Sequence, residues 1–381
     1  MRFDTRVVRA GAPMDPHTGA VNPPIYLSST FEQEAPDRNR GFVYSRTANP
    51  TRTVLERAIA ELEGGAAGLA FASGLGALTT VLEQFPSGSR IVSVDDVYGG
   101  TWRLFEHHRR QFGLRTEYVD LADPSAARRA LAEPADLVWI ESPTNPLLKI
   151  VDLVEVSRAA HAAGAVVGVD NTFATPALQR PIELGADLVL HSSTKYLGGH
   201  SDVLGGALVL RDRAAGTRYA WLQNAVGAVP SPFDSFLVLR GIRTLSLRMA
   251  AHAAAARAVA GELEGQRAVR AVHYPGLAHH PQHALAARQM SGFGGMVSVE
   301  LRGGQRAALR FLRRLSLFTL AESLGGVESL VEHPASMTHA SVPRAEREAH
   351  GVTDGLVRLS CGVEDPADLV DDVRSALRGL G

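Results

Sequence analysis

Lys195 follows the apolar run DLVL in the segment His191-Ser192-Ser193-Thr194-Lys195-Tyr196. A lysine so placed is either a solvated surface cation or an amine that holds a carbonyl covalently as an imine. The hydroxyls of Ser192, Ser193 and Thr194 suit a phosphate. Twenty-five residues upstream, Asp170 ends a second apolar run, AVVGV. A carboxylate there either caps a helix or pairs with the protonated nitrogen of a heterocycle, so that the ring accepts carbanion electrons. Ser73-Gly74-Leu75-Gly76 opens the helical pattern GALTTVLEQF. Amides at a helix start attract a phosphate and glycines let it approach, although many such segments are only turns. The full G-x-G-x-x-G of a dinucleotide site is missing. Tyr98, in Val97-Tyr98-Gly99-Gly100-Thr101, is either a half-buried structural tyrosine or a ring that stacks on a flat cofactor and takes part in proton transfer.

These residues need a scaffold that gathers them. Short apolar runs occur at 67–71, 90–94, 137–140, 165–169, 187–191 and 206–210, several separated by helical patterns such as VEVSRAAHAAG. Runs apolar on both faces that alternate with helices predict a mainly parallel sheet covered on both sides. Ligands of such a sheet sit beyond the carboxyl ends of its strands. There stand Ser73-Gly74, Tyr98, Glu141-Ser142-Pro143-Thr144-Asn145-Pro146, Asp170 and Lys195, so that five strand ends predict one crevice. After about residue 246 an Ala-rich helix, LRMAAHAAAARAVAGELEG, leads to candidate strands at 296–301 and 356–360 in a smaller α+β unit. Residues 1–48 are rich in Pro, Gly and polar residues, and are expected to be either a disordered arm or a segment packed on another subunit. The expected division is an arm at 1–48, a large domain at 49–245 and a C-terminal domain at 246–381.

Composition narrows the partners. The 381 residues carry 39 basic and 40 acidic side chains, a formal charge of −1, which argues against nucleic acid or an anionic membrane as a main partner. A single cysteine, Cys361, rules out an intramolecular disulfide and a Cys-based metal site and fits a reducing compartment. Neither a signal-peptide pattern nor a membrane-spanning run is expected, so a cytoplasmic location is. His279, His280 and His283 lie in a Pro-containing segment expected to be exposed, and no metal is expected.

The segments GFVYSRTANPTR (41–52), FASGLGAL (71–78), VYGGTWRLF (97–105), ESPTNP (141–146), VDNTFATP (169–176), VLHSSTKYLGGHSDVLGG (189–206), AESLGGVESL (321–330), MTHASV (337–342) and RLSCGVED (358–365) resemble the transsulfuration, or Cys/Met metabolism, pyridoxal-phosphate enzymes of fold type I. The resemblance runs almost end to end. It implies a mostly parallel seven-stranded sheet with helices on both faces and a smaller C-terminal α+β domain. It also implies roles for individual residues. Lys195 carries pyridoxal 5'-phosphate as a Schiff base, Asp170 pairs with the pyridine nitrogen and Tyr98 stacks on the ring. Gly74, Leu75, Ser192 and Thr194 hold the phosphate, and Tyr44 and Arg46 complete that site on a neighbouring subunit of a homotetramer, a dimer of active dimers. Asn145 lies near the cofactor's phenolic oxygen. Arg358 clamps the substrate α-carboxylate, with Ser323 beside it; otherwise Arg358 forms a rim salt bridge and Ser323 a turn.

The implied reaction begins with removal of a Cα proton by Lys195, followed by departure of a Cγ substituent with help from Tyr98. Hydrolysis then makes the enzyme a cystathionine γ-lyase. Attack by a thiol makes it a γ-synthase acting on an O-acyl-homoserine and cysteine. A catalytically silent cofactor binder is the third reading, against which Lys195, Tyr98, Asp170 and Arg358 stand together. Gly100 stands where methionine γ-lyases usually carry Cys. Arg103 is a candidate for a distal substrate carboxylate or a helix-surface cation, and Glu322 for the distal ammonium of cystathionine or a surface carboxylate. Val43 stands where cystathionine γ-lyases often carry an acidic residue, which leaves room for synthase-like chemistry. Cys361 replaces a more usual Val and is expected to pack in a core.

Overall fold

The computed structural model describes residues 1–11, 15 and 17–380. A two-stranded ribbon near the start, β1 (Gln33–Ala35) and β2 (Arg38–Asn39), precedes the first large element, a helix over Pro50–Glu63. That helix starts where the Asn49 side chain accepts the amides of Thr51 and Arg52, and stops at Gly64 with φ +83°.

The large sheet contains β3 (Ala67–Phe71), β4 (Arg90–Val94), β5 (Arg115–Val119), β6 (Leu137–Glu141), β7 (Val166–Asp170), β8 (Leu188–His191) and β9 (Gly206–Leu210). Its order is β3-β9-β8-β7-β6-β4-β5. β9 runs antiparallel to both β3 and β8, while the remaining neighbours pair in parallel. β6 and β9 are buried along their whole length, as expected of strands covered by helices on both faces. β5 (RTEYV) was missing from the sequence-based set because it is an edge strand, and its charged, half-exposed residues hide the apolar signal.

A smaller sheet follows, with β10 (Val269–His273), β11 (Met296–Leu301), β12 (Thr319–Leu320), β13 (Leu330–Glu332) and β14 (Leu356–Ser360) in the order β10-β11-β14-β13-β12. β12 pairs in parallel with β13 and the rest are antiparallel. The 19-residue helix Leu245–Leu263 joins two cores: Leu245 and Met249 pack against the large sheet, while Ala255, Val259 and Leu263 pack under the small one. Cys361 lies fully buried in the second core.

Two expectations change. The first residues are not a featureless arm, because Phe3–Arg9 is helical and Val7 and Ala10 join the core of the large sheet. Gly11 makes this possible. Its φ is +71° and a Cβ there would come 2.3 Å from the Val54 carbonyl. His280 is buried rather than exposed. Its Nδ1 accepts the Gln282 amide, and burial pushes its imidazole down to about 4. Among the described residues no helix is long and apolar enough to cross a membrane.

Candidate active site

The carboxyl ends of β3, β4, β6, β7 and β8 open onto a cavity of about 330 Å³. Ser73, Gly74, Leu75, Tyr98, Asn145, Asp170, Ser192, Thr194 and Lys195 all line it. The small sheet closes it with Glu322, Ser323, Thr338 and Arg358. Of the residues proposed from the sequence, Tyr44, Arg46 and Arg103 are outside this lining.

The helix Gly74–Leu82 begins at Ser73, whose hydroxyl accepts the Gly76 amide at 3.0 Å. The amides of Gly74 and Leu75 belong to the first turn, which has no carbonyl partners inside the helix. The turn presses on β9 so closely that a Cβ at Gly206 would lie 2.2 Å from the Ser73 carbonyl. The Ser192 amide is tied to the Thr172 hydroxyl at 2.8 Å, and the Thr194 hydroxyl exchanges hydrogen bonds with the Gly205 backbone. These bonds hold the Ser192 and Thr194 backbone in place, and the free amides of Gly74 and Leu75 with the Ser192 hydroxyl form a cup suited to a phosphate dianion.

Asp170 keeps part of its surface exposed at the cavity, and one oxygen accepts the Thr172 amide at 3.0 Å. Burial raises its carboxyl above the ordinary range despite the hydrogen bonds from Thr172. Glu141 is its cross-strand partner, and burial followed by the Asp170 charge lifts Glu141 well above its usual value. Both carboxyls line the cavity, and Asp170, the more exposed of the two, suits a protonated ring nitrogen. Glu141 accepts the Tyr98 amide at 3.0 Å and fixes the turn that presents the phenol. Burial raises the Tyr98 phenol, so the ring stays protonated.

Lys195 Nζ donates to Ser323 Oγ at 2.6 Å. Burial, assisted by the Arg358 charge, pushes its ammonium down to about 8. A lysine so shifted is a far better nucleophile and base at neutral pH than a surface lysine. Ser323 has φ +95°, an unusual conformation for a residue with a side chain, and its carbonyl accepts Arg358 Nη2 at 3.0 Å. Arg358 Nη1 donates to Asn145 Oδ1 at 2.7 Å and pairs with Glu332 at 3.0 Å. Glu332 was missed in the sequence, where a glutamate within VEHP gives no signal. Glu141 was noted at its strand end without a role.

The remaining candidates sit elsewhere. Arg103 is exposed on the helix Gly99–Phe112, with Nη1 3.4 Å from Ser341 Oγ, although its charge still acts on Tyr98. Tyr44 is exposed and the Arg46 guanidinium lies over its ring at 5.5 Å. Arg46 also donates to the Asn224 carbonyl at 2.7 Å. Buried Arg52 donates to the carbonyls of Ser45, Arg46 and Thr47, so the turn that bears Tyr44 and Arg46 is firmly built outside its own cavity.

The chain matches the Cys/Met metabolism PLP-dependent enzyme family over residues 4–378 and belongs to that family. A cystathionine beta-lyase of Coxiella burnetii is 52% identical over 377 residues, which cover 98% of this chain and 97% of the relative. A cystathionine gamma-lyase of Bacillus subtilis is 48% identical over 380 residues, covering both chains fully. A cystathionine gamma synthase structure from Xanthomonas oryzae pv. oryzae in complex with cystathionine superposes with a TM-score of 0.97 at 50% identity, covering 99% of this chain and 98% of that one. The protein is therefore a pyridoxal-phosphate-dependent enzyme of the carbon–sulfur lyase and synthase class.

Proposed function

We propose that this member of the Cys/Met metabolism PLP-dependent family is a cystathionine γ-lyase, which converts L-cystathionine and water to cysteine, 2-oxobutanoate and ammonia. The observation that carries this reading is one cavity that combines the shifted amine of Lys195, the protonated phenol of Tyr98, the guanidinium of Arg358 and the exposed carboxylate of Glu322.

In this reading Lys195, Asp170, Tyr98, Asn145 and the cup formed by Gly74, Leu75, Ser192 and Thr194 hold pyridoxal phosphate, which when bound supplies an electron sink for charge developing at the substrate Cα. Arg358 receives the α-carboxylate and Glu322 the distal ammonium. Lys195 Nζ would remove the substrate Cα proton and carry a proton to or from Cβ. The Tyr98 phenol gives a proton to the departing sulfur. Tyr44 and Arg46 complete the phosphate cup of a neighbouring subunit, so that the active unit is a dimer within a tetramer. The lone, buried Cys361 is compatible with a cytoplasmic location.

A γ-synthase is the second reading, favoured by Val43 where an acidic contact to a distal ammonium is expected and by the likeness to the Xanthomonas synthase. Product analysis with cofactor-loaded protein and L-cystathionine decides between them. A γ-lyase yields 2-oxobutanoate with cysteine. Pyruvate with homocysteine would instead mark cleavage on the other side of sulfur. Absence of both oxo acids, with cystathionine made from an O-acyl-homoserine and cysteine, would establish the synthase.

A further inference from the structure

Arg358 and Glu332 face each other across β14 and β13, with their side chains 2% and 1% exposed. Arg358 Nη1 donates to Asn145 Oδ1 and forms an ion pair with Glu332 Oε1 at 3.0 Å, and Nη2 donates to the Ser323 carbonyl. Nη2 keeps a second hydrogen, and Nε has no partner among the described residues. Glu332 is itself anchored. Its Oε1 accepts the Thr338 hydroxyl at 2.9 Å, while Oε2 has no partner among the described residues.

A fixed anion therefore stands beside the cation that, in the function proposed above, receives the substrate α-carboxylate. Asn145 and Ser323 hold the guanidinium in place without Glu332, so loss of the Glu332 charge leaves the fork oriented. What changes is repulsion: two like charges about 6 Å apart at an effective dielectric near 20 weaken binding by up to about 100-fold. Proton uptake by Glu332, whose carboxyl burial already raises, reduces this to roughly tenfold.

We propose that Glu332 acts through Arg358 as a resident counter-ion: it neutralises the buried guanidinium between turnovers and holds down the affinity for α-carboxylates, so that carboxylate products leave. This rests on the reading of Arg358 as the carboxylate site. The test is a titration of cofactor-loaded wild-type and E332Q protein with glycine and with methylamine, followed by cofactor absorption. Methylamine offers the amine without the carboxylate. E332Q should bind glycine about tenfold tighter with methylamine affinity unchanged, and its KM and kcat for amino-acid substrates should fall together. Glycine affinity that is unchanged or weaker would overturn the proposal and leave Glu332 a scaffold residue. If E332Q does not accumulate in loaded form, E332D, which keeps the charge but withdraws it, should tighten glycine by roughly threefold, and no tightening there is equally fatal. R358Q tests the premise separately. It should erase the preference for glycine over methylamine, and survival of that preference would put the carboxylate site elsewhere.

Discussion

The two sides of the cavity are built differently. On the large-sheet side, Asp170 ends one strand and Ser73, Tyr98 and Lys195 follow others; Ser73 and Asp170 each accept a backbone amide, and the turn bearing Tyr98 is tied through its own amide to Glu141. On the small-sheet side, Arg358 lies within a strand and is held by side chains and a carbonyl from three separate segments, at Asn145, Ser323 and Glu332. Strand ends supply fixed dipoles and short tethers, which suit a cofactor that stays in place. An ion-paired arginine within a sheet supplies an adjustable charge, which suits a substrate that comes and goes. The contrast implies that damage on one side removes the cofactor, and damage on the other spares it while spoiling substrate recognition.

Lys195→Ala should give the largest effect. Turnover should fall by about 10⁴-fold or more, because one group serves as covalent anchor and base, and borohydride reduction should no longer fix cofactor to the chain. Arg358→Lys keeps the charge but loses the fork, so kcat/KM should fall by about 100-fold with the cofactor absorption intact. Loss of cofactor in that variant would erase the distinction between the two sides.

The amine of Lys195 gives a pH test of the first side. The neutral amine attacks the cofactor carbonyl, and the neutral fraction shrinks as pH falls below the amine's pKa of about 8. Cofactor loading of the unloaded protein should therefore slow about tenfold per pH unit below about 8 and level off above it. A profile flat between pH 6 and about 9 would contradict the burial of this lysine.

Arg46→Ala should weaken cofactor affinity by roughly tenfold through loss of a charged phosphate contact. Mixing Arg46→Ala with Lys195→Ala subunits should restore part of the activity, since one mixed site then has both residues. No restoration would confine Arg46 to its own chain. Cys361→Val, deep in the second core, should change stability by less than about 1.5 kcal/mol in thermal melts and leave activity unaltered.

The same contrast governs what the sequence revealed. Alternating apolar runs and helices exposed the large sheet, and polar residues after each run exposed Lys195, Asp170 and Tyr98, because the chemistry of such sheets collects at strand ends. β5 and β10 stayed hidden since edge strands carry charge on open positions. Arg358 and Ser323 were legible only through likeness to a family, as an arginine inside RLS looks like any strand residue. Glu332 and the role of Glu141 required coordinates, because a buried carboxylate is recognised by the partner across the strand. The helix Phe3–Arg9 was obscured by the Pro- and Gly-rich stretch behind it.

The most direct test of this two-sided account is a crystal structure of the cofactor-loaded enzyme with an uncleavable cystathionine analogue in which methylene replaces sulfur. The account predicts the ring nitrogen against Asp170, the α-carboxylate on Arg358 and the distal ammonium at Glu322. An α-carboxylate bound at Arg103, or a distal ammonium remote from Glu322, would contradict it.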